Sequence, residues 1–180
     1  MSLIADCRTF VSKSYEDALS YAGSMVRLTE LAKKLIDGKN LANVATLMPD
    51  GSPQVASVWV EREADIVVIN ATTTRQRYRN LKRDPRVALS IFDINNIYTT
   101  VMIRGRATEI TNEGAEEHID RLSMKYNGRK YPDHCPDRPR VIIRITPEHV
   151  TEWNGRRYNA ARNRSLAHPK ARVAKHRGYP

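Results

Sequence analysis

Ile66-Val67-Val68-Ile69-Asn70-Ala71-Thr72-Thr73-Thr74-Arg75-Gln76-Arg77-Tyr78-Arg79-Asn80-Leu81 is the stretch on which the fold turns. Four β-formers in a row, without a polar break, read as a buried strand. Three threonines follow, and any of them is suited to cap a helix. The short helix they introduce carries Arg75, Arg77 and Arg79 in its first turns. A helix N-terminus presents unpaired N–H groups and a partial positive charge, so each arginine there is unfavourable by ~0.3–1 kcal/mol. An anion reverses that sign. Hydroxyls, free amides and guanidinium forks converging on one point suit a phosphate. The competing reading is a solvated basic helix start without a ligand.

Charge gives the next constraint. The chain has 180 residues and a net charge of +10, but eight of its bases and none of its acids fall in residues 154–180. That leaves 22 bases against 20 acids in residues 1–153, a nearly neutral body with a basic tail. Such a tail reads as a loosely draped segment, with nucleic-acid binding as the less favoured alternative. A hydrophobic content of 41% suffices for one core. No apolar run approaches the ~20 residues that span a bilayer. Met1 to Phe10 contains Asp6, Cys7 and Arg8 where a signal peptide needs an apolar core. The expectation is therefore a cytoplasmic protein with no membrane association. Cys7 and Cys135 read as reduced thiols in that setting, and a bridge between them is the alternative.

Outward from the opening stretch, elements follow in both directions. Tyr15 to Val26 reads as a loose helix. Thr29 caps a better one whose stripe is Leu31, Leu35 and Ile36, and Gly38 stops it. Leu41 to Met48 and Pro53 to Glu61 read as an antiparallel hairpin about the turn Pro49-Asp50-Gly51-Ser52. The basic helix ends near Asp84-Pro85. Val87 to Phe92 is a strand, and Tyr98 to Ile110 is a longer one that bends at Gly105. Thr111 or Asn112 caps a helix from Glu113 to about Tyr126, with Ile119 and Leu122 inward. After a loop with three prolines, Arg140 to Ile145 and Glu148 to Trp153 read as a last strand pair around Thr146-Pro147. Consecutive strands with few helices between them favour an antiparallel barrel over a doubly wound parallel sheet.

Here the pattern resembles a known family. Ala45 to Gln54 is similar to the first hairpin of the pyridoxamine 5'-phosphate oxidase-like split β-barrels. Asn70 with Thr72 to Leu81 resembles their cofactor-phosphate segment. Asp84 to Ser90 and Ile103 to Ala107 resemble the two blocks that follow, in order and at matching spacing. Tyr126 to Pro132 and Ile145 to Trp153 resemble the deazaflavin-dependent branch. The resemblance covers residues 30–153. Residues 1–29 and 154–180 then stand as an N-terminal extension and a basic C-terminal tail. It implies a mainly β, α+β fold, a six-stranded antiparallel split barrel with peripheral helices. It also implies a homodimer with the cofactor between subunits, that cofactor being coenzyme F-420 or, alternatively, FMN. Carried over, the phosphate meets Arg75, Arg77 and Arg79, with Asn70 and Thr72 nearby, and the ring lies along Gln54, Ser57 and Trp59. The position of Arg77 is often lysine in relatives, and arginine keeps the charge while gaining a fork.

Each of these residues has a plainer reading. Trp59 packs a core as readily as it walls a cofactor, and Ser57 is as well suited to satisfy its own backbone as to meet a ring carbonyl. Tyr98, Tyr126, Tyr131 and His134 are weighed as proton donors against ordinary packing. His118, His134 and Cys135 fit no zinc spacing. Gly38-Lys39 lacks the remaining glycines of a P-loop, and no Gly-x-Ser-x-Gly occurs. That absence suits an enzyme whose cofactor carries the chemistry. The implied function is hydride transfer between the cofactor and a small organic substrate, with no catalytic residue assigned. The alternative is a non-catalytic protein that stores, senses or sequesters a flavin or another ring ligand.

Overall fold

The computed structural model describes residues 26–154. The expected helix over Tyr15 to Val26, Cys7 and nearly all of the basic tail lie outside the described residues. In chain order the elements are α1 (Glu30–Asp37), β1 (Ala42–Leu47), β2 (Pro53–Val58), β3 (Val60–Glu63), β4 (Ile66–Thr72), α2 (Gln76–Arg83), β5 (Arg86–Asp93), β6 (Asn96–Thr111), α3 (Ala115–Asn127) and β7 (Arg140–Asn154).

Local chemistry sets the start. The Thr29 hydroxyl accepts from Ala32 N at 3.1 Å and caps α1. In the β1–β2 turn Asp50 Oδ1 accepts from Ser52 N at 2.9 Å, and Gly51 supplies a φ of 84°. The hairpin is antiparallel, with Ala45 opposite Val55.

All strands join one antiparallel sheet in the order β2-β1-β5-β6-β7-β4-β3. Its two edges, β2 and β3, are separated in the chain by Trp59 alone. One strand thus leaves the first edge, bends at Trp59 and arrives at the last, so the sheet curls into a barrel. The seven strand segments are six strands of a split barrel, one of them broken. The expected single strand Pro53 to Glu61 is corrected accordingly: it pairs with β1 before the bend and with β4 after it.

A second correction concerns the C-terminal strands. Arg140–Asn154 is one continuous strand, β7, and not a pair around Thr146-Pro147. Its first part, Arg140 to Ile145, pairs with β4, and β6 runs along it from Ile142 to Asn154. Pro147 is tolerated because it faces Gly105 at a register shift in β6, where its missing N–H leaves no gap in a regular ladder. A Cβ on Gly105 would collide with the Thr146 carbonyl.

The barrel interior holds Val44, Val60, Ile69, Ile91, Ile103 and Ile143, all fully buried, and α1 closes it with Leu35 and Ile36. Helix α3 lies on the outer face, where Val68 and Ile142 meet Ala115. Strand β4 is thus covered on both sides, which explains its unbroken apolar run. The capping expectations for the other two helices fail. The N-cap of α2 is Arg75 itself, with no side-chain cap, and Thr72 ends β4 with its hydroxyl 2.9 Å from that of Thr74. The N-cap of α3 is Gly114 in the left-handed region, while Thr111 Oγ1 accepts from Glu113 N instead. Among the described residues no helix is long and apolar enough to cross a membrane.

Candidate functional site

A cleft of about 350 Å³ opens where the end of β4, the start of α2, the Trp59 bend, α3 and the 128–139 loop meet. The structure brings six of the expected residues to its lining: Ser57, Trp59, Asn70, Thr72, Arg75 and Arg77. It does not bring Gln54 or Arg79 there. Gln54 accepts from Thr46 Oγ1 at 3.0 Å and donates to Val55 O, along the hairpin. Arg79 is exposed and donates to Gln76 Oε1 one turn back on its own helix. The cause is helical geometry: residues 77 and 79 are two apart and cannot share a face.

Four arginines line the cleft, Arg75, Arg77, Arg138 and Arg140, against one acid, Asp133, which pairs with Arg138 at 2.9 Å. Arg77 is half-buried, and its Nη2 donates to the Asn70 carbonyl at 3.1 Å. Its Nε is buried and has no partner among the described residues. Burial, and after it the charges of Arg75 and Arg140, pull the Arg77 guanidinium down to about 10. Among the described residues no ion pair includes Arg75 or Arg77. A buried donor and uncompensated positive charge are costly on their own. A dianion would satisfy both, so the residues present fit a phosphate-bearing ligand.

Asn70 sits between the sheet and α3, and its side chain is fully engaged. Its Oδ1 accepts from Arg140 Nη1 at 3.0 Å. Its Nδ2 donates to Ala115 O at 2.9 Å and meets His118 Nδ1 at 3.3 Å. His118 is completely buried, and its Nε2 faces Glu61 Oε1 at 3.1 Å. Burial drives the Glu61 carboxyl up, yet His118 and Arg121 together outweigh it and hold it below its ordinary value.

Aromatic rings form the adjoining wall. Trp59 stacks on Tyr126 at 5.4 Å between centroids and meets Tyr131 edge-on at 6.1 Å. Tyr126 is locked: its hydroxyl donates to Asn40 O at 2.6 Å and accepts from Val60 N at 3.2 Å, and burial pushes its pKa up. This tyrosine therefore packs and anchors. Tyr98 is exposed on β6 and does not line the cleft. Tyr131 does, with the Arg140 guanidinium 4.2 Å above its ring.

The 128–139 loop is fastened to α3. His134 places Nδ1 2.5 Å from Glu116 Oε2 and Nε2 3.1 Å from Asp120 Oδ1, and Tyr131 N donates to Asp120 Oδ1. Cys135, a free thiol, lines the cleft, and Arg138 lowers its pKa. Among the described residues no cluster of three or more His, Cys, Asp or Glu could hold a metal.

Sequence reading missed Arg140 as a cleft residue. It is the first residue of β7, and only the register Thr72–Arg140 carries it to the end of β4. No local signal reveals that pairing.

The pyridoxamine 5'-phosphate oxidase family matches residues 28–154. The solved structure of an F420 reductase is 30% identical, covers 69% of this chain and 98% of its own, and superposes with a TM-score of 0.63. A conserved hypothetical protein from Mycobacterium tuberculosis is 23% identical, with 86% of this chain and 96% of its own covered and a TM-score of 0.56. HupZ from Group A Streptococcus is 23% identical, with 69% and 93% covered and a TM-score of 0.54. The likeness to these last two is one of fold. No curated protein matches the chain. With a bent-strand barrel, a cationic cleft at the end of β4 and a family match over nearly every described residue, the chain belongs to the pyridoxamine 5'-phosphate oxidase family of split β-barrels.

Proposed function

We propose that this chain is an oxidoreductase that binds a phosphate-bearing deazaflavin, coenzyme F-420, with FMN as the alternative, and acts on a small organic substrate. The observation that carries the reading is the charge of Arg75 and Arg77, unpaired among the described residues, with a buried Nε on Arg77 that has no partner there. The 30% identity to an F420 reductase supports deazaflavin over FMN.

In this reading Arg77 and Arg75 grip the phosphate, and Thr72 adds a hydroxyl at the same end of the cleft. Trp59 and Tyr131 offer flat apolar surface for a ring and keep water from it. Ser57 is already donating to Asn43 Oδ1 at 2.7 Å, so its oxygen is left as an acceptor. When bound, the ring supplies the hydride chemistry, and the protein contributes position and a dry wall. A homodimer with the cofactor at the subunit interface belongs to the same reading. Exposed Val55, Met102 and Trp153 support it, since a second copy would cover them. A cytoplasmic setting and no role for nucleic acid complete the proposal.

Mass spectrometry of the ligand released from the full chain under native purification tests it. The expected result is a phosphate-bearing deazaflavin or FMN, which reducing donor and then substrate cycle between two absorbance spectra. A bound cofactor that never reoxidises with any substrate would favour a carrier, and a colourless chain that takes up neither compound would refute the reading.

A further inference from the structure

We propose that Arg140 is the third guanidinium of the anion grip, in the role expected of Arg79, and that Asn70 is the post that aims it and not a ligand of the cofactor. The inference rests on the phosphate reading above and concerns which residues carry it out.

Three observations support it. Arg140 is 9% exposed, lines the cleft and stands beside the end of β4 through its pairing with Thr72. Among the described residues its one side-chain hydrogen bond uses Nη1, to Asn70, and Nη2 makes none. The nearest carboxylate, Glu116 Oε2, is 3.7 Å from Arg140 Nε and is already held by His134 at 2.5 Å. A guanidinium buried this far with one of its nitrogens uncommitted is arranged for a further acceptor.

The orientation is fixed from two sides. The Tyr131 ring lies 4.2 Å beneath the Arg140 plane and favours the cation on its face. Asn70 fixes the edge. Its carbonyl holds Arg77 Nη2, its Oδ1 holds Arg140 Nη1, and its Nδ2 donates to Ala115 O and lies 3.3 Å from His118 Nδ1, away from the arginines. One residue thus spaces two arginines, with its side-chain amide committed to the protein. Arg79, exposed and tied to Gln76, sits off the cleft.

The test is a set of equilibrium titrations of the full chain with two matched pairs of probes. One pair is FMN and riboflavin. The other is coenzyme F-420 and the ribityl deazaflavin that lacks its phosphate and lactyl-glutamyl tail. The quantity read is the ratio of affinities within a pair, which isolates the phosphate for FMN and reads phosphate and tail together for the deazaflavin. Arg140→Gln should lower that ratio by about tenfold or more, as loss of a charge-assisted contact does, and leave the phosphate-free member within about twofold. Arg140→Lys, which keeps the charge and loses the fork, should fall between. Asn70→Ala should lower the same ratio, and combining it with Arg140→Gln should add little, because both remove one arrangement. Arg79→Gln should leave the ratio unchanged. An unaltered ratio in Arg140→Gln and Arg140→Lys, or equal loss for both members of a pair, would overturn the proposal. If the unsubstituted chain shows no preference for phosphate in either pair, the phosphate reading itself fails, and Arg140 fails with it. That outcome is visible before any substitution is made.

Discussion

Helices α1 and α2 are each eight residues long and both bury two or three side chains against the barrel, yet they are built on opposite principles. In α1 a threonine caps the first turn, Glu30 faces the positive end of the dipole and Lys34 the negative end. In α2 there is no side-chain cap and no acid in the first turn, and among the described residues a half-buried arginine lacks a counter-charge. The first helix satisfies itself. The second leaves a buried Arg77 Nε without a partner among the described residues. Local rules kept in one element and broken in its neighbour mark the neighbour as the functional one.

Substitutions sharpen that contrast. In α1 the largest effect should be on stability. Ile36→Ala, at a fully buried position, should cost about 2–5 kcal/mol in denaturant unfolding. Cofactor affinity per folded molecule should stay the same. In α2 the effect should move to binding. Arg77→Ala should weaken a phosphate-bearing cofactor by about 1.5–3 kcal/mol in a titration. Arg77→Met should raise the melting stability of the ligand-free chain, by about 1 kcal/mol, because it removes an unpaired buried charge. A fall in stability with unchanged affinity would mean that α2 is as self-sufficient as α1.

Capping gives a smaller and symmetrical pair. Thr29→Ala should cost about 1 kcal/mol. It removes the bond to Ala32 N as well as one to Glu152. Thr74→Ala, directly before Arg75, should cost less than about 0.5 kcal/mol, since no threonine caps α2. Equal costs would erase the distinction between the helices.

The smallest effect concerns pH and the loop that walls the cleft. The hydrogen bond to Glu116, and behind it the charge of Asp120, raises the His134 pKa above its ordinary 6.5. A raised value means that the folded chain holds this proton more tightly than the unfolded one. The stabilisation is therefore fully present below 6.5 and is lost as pH rises through the folded value. His134→Gln should flatten the melting profile over that window. A slope that survives would assign it to another group.

What could be read from the sequence follows from range. The Thr29 cap, the Asp50-Gly51 turn, the bend at Gly105 and the stop at Asp84-Pro85 are decided by neighbours within a few residues, and all were legible. The break at Trp59 was not, because Val58 and Val60 alternate as an unbroken strand would. Only closure of the barrel tells that strand to change partners. Pro147 misled in the same way: it reads as a turn until Gly105, some forty residues earlier, makes room for it within a strand. Arg75 and Arg77 announced themselves by standing where the helix dipole disfavours them. Arg79 shared that signal without sharing the face, and Arg140 reaches the cleft through strand register alone.

The measurement that tests the account most directly is a crystal structure of the full chain with coenzyme F-420 or FMN bound. The account predicts a phosphate oxygen within hydrogen-bonding distance of Arg77 Nε, with Arg75 beside it. A cofactor phosphate seated elsewhere on the barrel, with Arg77 Nε still unpartnered, would contradict it.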